Sequence, residues 1–166
     1  MKAEAVIYTS KTGFTEQYAK KLGEKLGLPV CALADASKKY RNGATVIYLG
    51  WVFANTVKGY KKATRRYKLA AVCAVGLSDT GTMEAEIRKA NTIPQKLPLF
   101  TLQGGLKRSQ LRGINKLLIK ILEKGLTAQK ARSEQDERML SLIRKDGSYV
   151  SDENLSSVIE WYGQSK

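Results

Sequence analysis

The chain contains no histidine, and its 166 residues include only two cysteines, Cys31 and Cys73. The first absence removes every catalytic triad built on imidazole, and the two together remove most of the donors from which zinc sites are assembled. The cysteines stand far apart in apolar runs without a Cys-x-x-Cys spacing, so each reads as a small buried residue of a reducing compartment. Long hydrophobic runs are also missing. The longest, residues 69–77, is far short of the roughly 20 residues a membrane span requires. The chain starts with a lone Lys2 and a strand pattern rather than a signal-type segment, and a cytoplasmic protein is expected. Acidic residues are scarce: 15 Asp and Glu stand against 29 Lys and Arg, a formal net charge of +14. Redox or group-transfer chemistry in such a chain has to come largely from a bound cofactor.

What is present suits a single domain over residues 1–166. Hydrophobic residues make up 43% of the chain, and no linker, internal repeat or low-complexity segment divides it. Strand-length apolar runs recur at 3–9, 29–33, 44–50, 69–76 and 97–102, and helical patterns fill 12–26, 57–67 and 82–90. Alternation of this kind predicts right-handed βαβ units and a parallel sheet covered by helices on both faces. The unbroken apolar run Leu69-Ala70-Ala71-Val72-Cys73-Ala74-Val75 agrees with a strand buried on both sides. Ligands of such sheets bind outside the carboxyl ends of the strands, where three loops converge here.

The first of these loops reads Ser10-Lys11-Thr12-Gly13-Phe14-Thr15 and leads into a helix. The first amides of a helix lack internal partners and carry the positive end of its dipole, which makes the junction an anion site. Ser10, Thr12 and Thr15 add hydroxyl donors, and Gly13 lets the backbone approach phosphate oxygens closely. The spacing matches neither the nucleotide triphosphatase loop nor the dinucleotide fingerprint. A plain Ser/Thr helix cap without ligand is the alternative.

The second loop, Gly50-Trp51-Val52-Phe53-Ala54-Asn55-Thr56-Val57-Lys58-Gly59-Tyr60, offers Trp51 or Phe53 as an aromatic wall and Ala54, Asn55 and Thr56 as polar or backbone contacts for a flat ring. Both aromatics equally suit closure of the core at the end of the sheet. The third loop, Gly76-Leu77-Ser78-Asp79-Thr80-Gly81-Thr82, is polar and bounded by glycines; Asp79 suits the cap of the next helix, and the backbone of Gly76, Leu77, Ser78 and Gly81 suits a ring edge.

The pattern Ser/Thr-x-Thr-Gly-x-Thr after a first strand resembles the FMN phosphate loop of flavodoxins. With the Ile47-Tyr48-Leu49-Gly50 strand end, its aromatic loop, and a long insertion leaving the last strand at Leu102-Gln103-Gly104-Gly105, the chain resembles the flavodoxin-like branch that includes menaquinone-dependent protoporphyrinogen oxidase. The resemblance implies a three-layer α/β/α sandwich with a five-stranded parallel sheet of order 2-1-3-4-5, and an amphipathic helical insertion at about 107–150 before the C-terminal helix. It further implies FMN as cofactor, electron transfer as activity, and a redox protein or a quinone as partner. Whether the chain is a carrier or an oxidoreductase stays open at this point, and a flavin-free basic binding module is the remaining alternative.

Charge departs from that pattern, since flavodoxins are typically acidic. One basic cluster, Lys58, Lys61, Lys62, Arg65, Arg66 and Lys68, follows the second loop. Another lies on the insertion, where Arg112, Lys116, Lys120 and Lys124 share one helical stripe and Leu111, Ile114, Leu118, Ile121 and Leu122 another. Lys116, Lys120 and Lys124 suit contact with an anionic membrane at the inner face, an acidic partner, or solvent above a plain covering helix. Nucleic acid is not expected, because the basic residues are tied to no base-reading element.

Overall fold

The computed structural model describes residues 2–164. Five parallel strands, β1 (Ala5–Thr9), β2 (Val30–Ala32), β3 (Thr45–Phe53), β5 (Lys68–Gly76) and β6 (Leu99–Gln103), lie in the order β2-β1-β3-β5-β6. This reproduces the expected succession of parallel strands. The sheet nonetheless has six strands rather than five, because the short β4 (Thr56–Val57) pairs antiparallel with the end of β3. The arrangement fits a flavodoxin-like sandwich.

Alternate side chains of each strand feed opposite faces, as the two-residue period of a strand requires. Ile7, Tyr48, Val72 and Ala74 pack with α2 (Leu33–Lys39), α3 (Tyr60–Arg66) and α4 (Glu84–Asn91). Val6, Ile47, Leu49 and Cys73 pack with α1 (Phe14–Leu26) and α7 (Ser156–Gln164). Both cysteines are buried and unbridged. Helix α1 begins directly after Gly13, whose φ of +90° suits glycine, and ends at Gly27, whose N–H donates to the carbonyls of Glu24 and Gly23.

Three expectations need correction. The third strand does not end at Gly50 but runs on to Phe53, so Gly50, Trp51, Val52 and Phe53 are strand residues and not loop. The chain then reverses through Ala54 and Asn55, both with positive φ, into β4; this tight hairpin lacks the Asn-Gly or Gly-Gly signal that marks such turns. The third helix accordingly starts at Tyr60, not at 57. Helix α2 follows β2 without a loop, over a segment for which the apolar spacing predicts no helix.

The insertion is a helical hairpin on a stem. Strand β7 (Gly105–Leu106) pairs antiparallel with β8 (Gly147–Ser148), and between them lie α5 (Ile114–Ala128) and α6 (Glu134–Lys145). Any side chain at Gly105 would meet the Gly147 carbonyl and the Phe14 ring, which explains the glycine pair at the exit. Ser133 opens α6 with a reciprocal capping box to Asp136. Leu106, Leu126, Leu140, Leu142 and Ile143 form a small core of its own.

The third correction concerns the insertion, where Leu111, Ile114, Leu118, Ile121 and Leu122 are expected to share one stripe and the structure divides them. Ile114 and Ile121 do not cover the sheet; they are 67% and 56% exposed, while Asn115 and Leu126 are buried.

Candidate functional site

Strands β1, β3 and β5 bring their carboxyl ends together, and the loops leaving them meet as anticipated. Tyr48 fixes this end of the sheet. Its buried hydroxyl donates to the Lys58 carbonyl at 2.6 Å and pairs with the Thr9 hydroxyl at 2.8 Å, and burial pushes its pKa up to about 12. Asn91 of α4 does the same for the hairpin: its amide donates to the Asn55 carbonyl and its oxygen accepts the Val57 N–H. Neither role had a signal beyond a polar residue inside an apolar pattern.

At the first loop, the Gly13 N–H donates to Ser10 Oγ at 3.1 Å, closing the turn. The N-terminus of α1 receives no side-chain cap. The loop hydroxyls therefore do not serve the plain capping role, and the first-turn amides keep their donor capacity. Lys11, Thr12, Phe14 and Thr15 wall a cavity of about 90 Å³. Trp51, Val52 and Phe53 form its second wall, and Gly76 and Leu77 a third.

A larger cavity of about 570 Å³ adjoins it. The two share Val52, Phe53, Gly76, Leu77 and Ile119. The larger one adds Ala54, Asn55 and Ser78 from the second and third loops, and its volume lies within the roughly 300–1,000 Å³ typical of small-molecule sites. Ser10 and Gly13 shape the first loop without lining either cavity, as do Gly50 in β3 and Gly81 in the third loop. Gly50 must stay small because a Cβ there would press on the Lys58 carbonyl at 2.7 Å. Gly81 donates its N–H to the Thr101 carbonyl.

Several lining residues escaped the sequence. Leu111, Asn115 and Ile119 of the insertion close the smaller cavity, and Leu118, Leu122 and Met139 close the larger. Their apolar spacing on the insertion was visible, but not which side of α5 faces the sheet. Thr101, at 7% exposure, lines the larger cavity with a buried hydroxyl oxygen that has no hydrogen-bond partner among the described residues. Asp79 does not cap α4; its carboxylate accepts from Arg138 at 2.7 Å and from Gln103 at 3.0 Å.

Lysines flank the smaller cavity, while the one charged side chain lining the larger is Asp136. Lys11 Nζ stands 5.3 Å from the Trp51 ring centroid, Lys58 Nζ 5.9 Å from Trp51 and 5.2 Å from Phe53, and Lys107 Nζ 5.6 Å from Phe14. Among the described residues none of these lysines enters an ion pair. Three uncompensated ammonium groups around a helix N-terminus favour an anionic ligand. No cluster of metal-ligating side chains occurs among the described residues. Compared with protein-family models, with curated proteins and with solved structures, the chain matches none.

Proposed function

We propose that the chain is an FMN-binding, flavodoxin-like redox protein. The observation that carries this reading is the meeting of the Ser10–Thr15 loop with Trp51, Phe53, Gly76 and Leu77 around two joined cavities under uncompensated lysines. The residues suit each part of FMN. Thr12, Thr15, Lys11 and the uncapped amides after Gly13 would take the phosphate, with Ser10 holding the turn. Val52, Phe53, Ala54, Asn55, Gly76, Leu77 and Ser78 would border the ring in the larger cavity. Trp51, which lines only the smaller cavity, would wall the passage between phosphate and ring.

Bound there, the flavin supplies one- or two-electron transfer. The chain's own residues would position it between the β3 and β5 ends and the apolar side chains of α5, with Lys11 on the smaller cavity and Lys58 beside Phe53 as the nearest cations and Asp136 as the one charged side chain on the lining of the larger cavity. Lys11 and Lys58 would favour a more negatively charged flavin and so raise its potential relative to an acidic flavodoxin.

The insertion favours the oxidoreductase form over the carrier. A carrier presents its ring edge to a partner protein, whereas Leu118, Leu122 and Met139 wall the larger cavity here. A site bordered by the insertion in this way suits a small organic electron acceptor such as a quinone, in the manner of the protoporphyrinogen oxidase branch. An absorption spectrum of the purified protein tests the reading: flavin bands that persist through gel filtration support it, and a colourless folded protein that takes up no added FMN defeats it.

A further inference from the structure

The outer face of α5 is apolar and uncovered. Ile114, Leu117 and Ile121 are 67%, 56% and 56% exposed, and their spacing of three and four residues aligns them on one stripe of the helix. Lys116, Lys120 and Lys124 are exposed and flank that stripe along one side. The lone acidic residue of α5, Glu123, borders the same concavity as Leu117, Lys120, Ile121 and Lys124, but its carboxylate is bound by Arg108 and Arg144. The exposed surface of α5 thus combines aliphatic side chains with an excess of positive charge, since Glu123 is already paired with two arginines.

We infer that this face docks on an anionic lipid bilayer, with Ile114, Leu117 and Ile121 entering the headgroup boundary and the three lysines paired with lipid phosphates. A strongly amphipathic helix with lysines beside its apolar stripe is the form interfacial helices take. No helix among the described residues is long and apolar enough to cross a membrane, so the contact is peripheral. A second copy of the chain is a poor occupant, because two such faces would bring like charges together on a chain of net charge +14. A protein partner is a poorer one than lipid. Protein hot spots favour Trp, Tyr and Arg, whereas this stripe is Ile, Leu and Lys. The inference stands apart from flavin binding, since no residue on this stripe lines the cavities assigned to FMN.

Cosedimentation with vesicles tests it. The wild-type protein should pellet with vesicles of phosphatidylglycerol and phosphatidylcholine at low salt, and at least tenfold less with phosphatidylcholine alone. The Ile114→Ser, Leu117→Ser, Ile121→Ser triple variant and the Lys116→Glu, Lys120→Glu, Lys124→Glu triple variant should each lose at least tenfold in binding. Circular dichroism should show both folded, because all six positions are exposed. Failure of the wild type to pellet overturns the inference, as does unchanged binding of the serine variant, which would mean adsorption by charge alone. If the wild type ignores vesicles but sediments at equilibrium as a dimer that the serine variant dissolves, the face is a contact between copies. Loss of FMN binding with vesicle binding intact would defeat the flavin reading alone.

Discussion

Arg138 of α6 reaches back to the loop after β5 and closes on the Asp79 carboxylate at 2.7 Å. Asp79 is held in turn by the Gln103 side chain at 3.0 Å, so one carboxylate ties the helical hairpin to the end of the sheet that bears the cavities.

An ion pair whose side chains are 43% and 27% exposed contributes little to global stability, because solvent screens it. Its effect should be local. Arg138→Ala should raise amide hydrogen exchange across residues 114–145 and leave exchange in β1, β3 and β5 unchanged, as mass spectrometry of peptic fragments would read. Equal protection of the hairpin in both proteins would show that the stem alone holds it.

The sheet order and the meeting of the three loops were legible because continuous apolar runs alternating with helical stripes admit few topologies. The end of β3 was not. Gly50 looked like an exit, yet its missing side chain serves the close approach of Val57 and Lys58 across the hairpin. The reversal at Ala54 and Asn55 is held by the Asn91 amide from a distant helix, a tertiary contact that local turn chemistry does not encode. The insertion was legible as amphipathic but not in its facing, since α5 has apolar residues on both its buried and its exposed sides.

Lys11 and Lys58 both approach the Trp51 ring, which borders the smaller cavity. Trp51→Ala should weaken FMN binding by about tenfold, consistent with the loss of an aromatic contact and its buried area. Affinity for inorganic phosphate should change less than twofold. Isothermal titration with both ligands separates the wall from the anion site, and an equal loss for both would assign Trp51 to the loop's structure instead.

Gly59 has a φ of +84°, and a Cβ there would run into the Tyr48 hydroxyl and Thr9 Oγ1. Gly59→Ala should cost about 2–4 kcal/mol in urea unfolding, from backbone strain and overpacking together. A cost below about 1 kcal/mol would mean that the Tyr48 anchor is loose.

Alkaline pH should destabilise the protein through two buried groups. Burial pushes Cys73 from its ordinary 9.0 and Tyr48 from 10.0, each to about 12. At pH 7 both are neutral in the folded and the unfolded chain and make no difference. Between pH 9 and 12 the unfolded chain ionises first, binds fewer protons than the native state, and gains population, so stability falls as pH rises. Urea midpoints from pH 7 to 11 should decline above pH 9, and less steeply for Cys73→Ala. A flat profile, or an identical slope in the variant, would contradict burial as the cause.

The central claim is that the Ser10–Thr15 loop holds the phosphate of a flavin, and a fluorescence titration of the folded protein with FMN and with riboflavin tests it most directly. Two charge-assisted hydroxyl contacts are worth about 1.5–3 kcal/mol each, so wild type should bind FMN at least tenfold more tightly than riboflavin. The Thr12→Ala, Thr15→Ala double variant should lose at least tenfold in FMN affinity while its riboflavin affinity stays within about twofold. Equal affinity of the wild type for FMN and riboflavin, or no binding of either, would contradict the account.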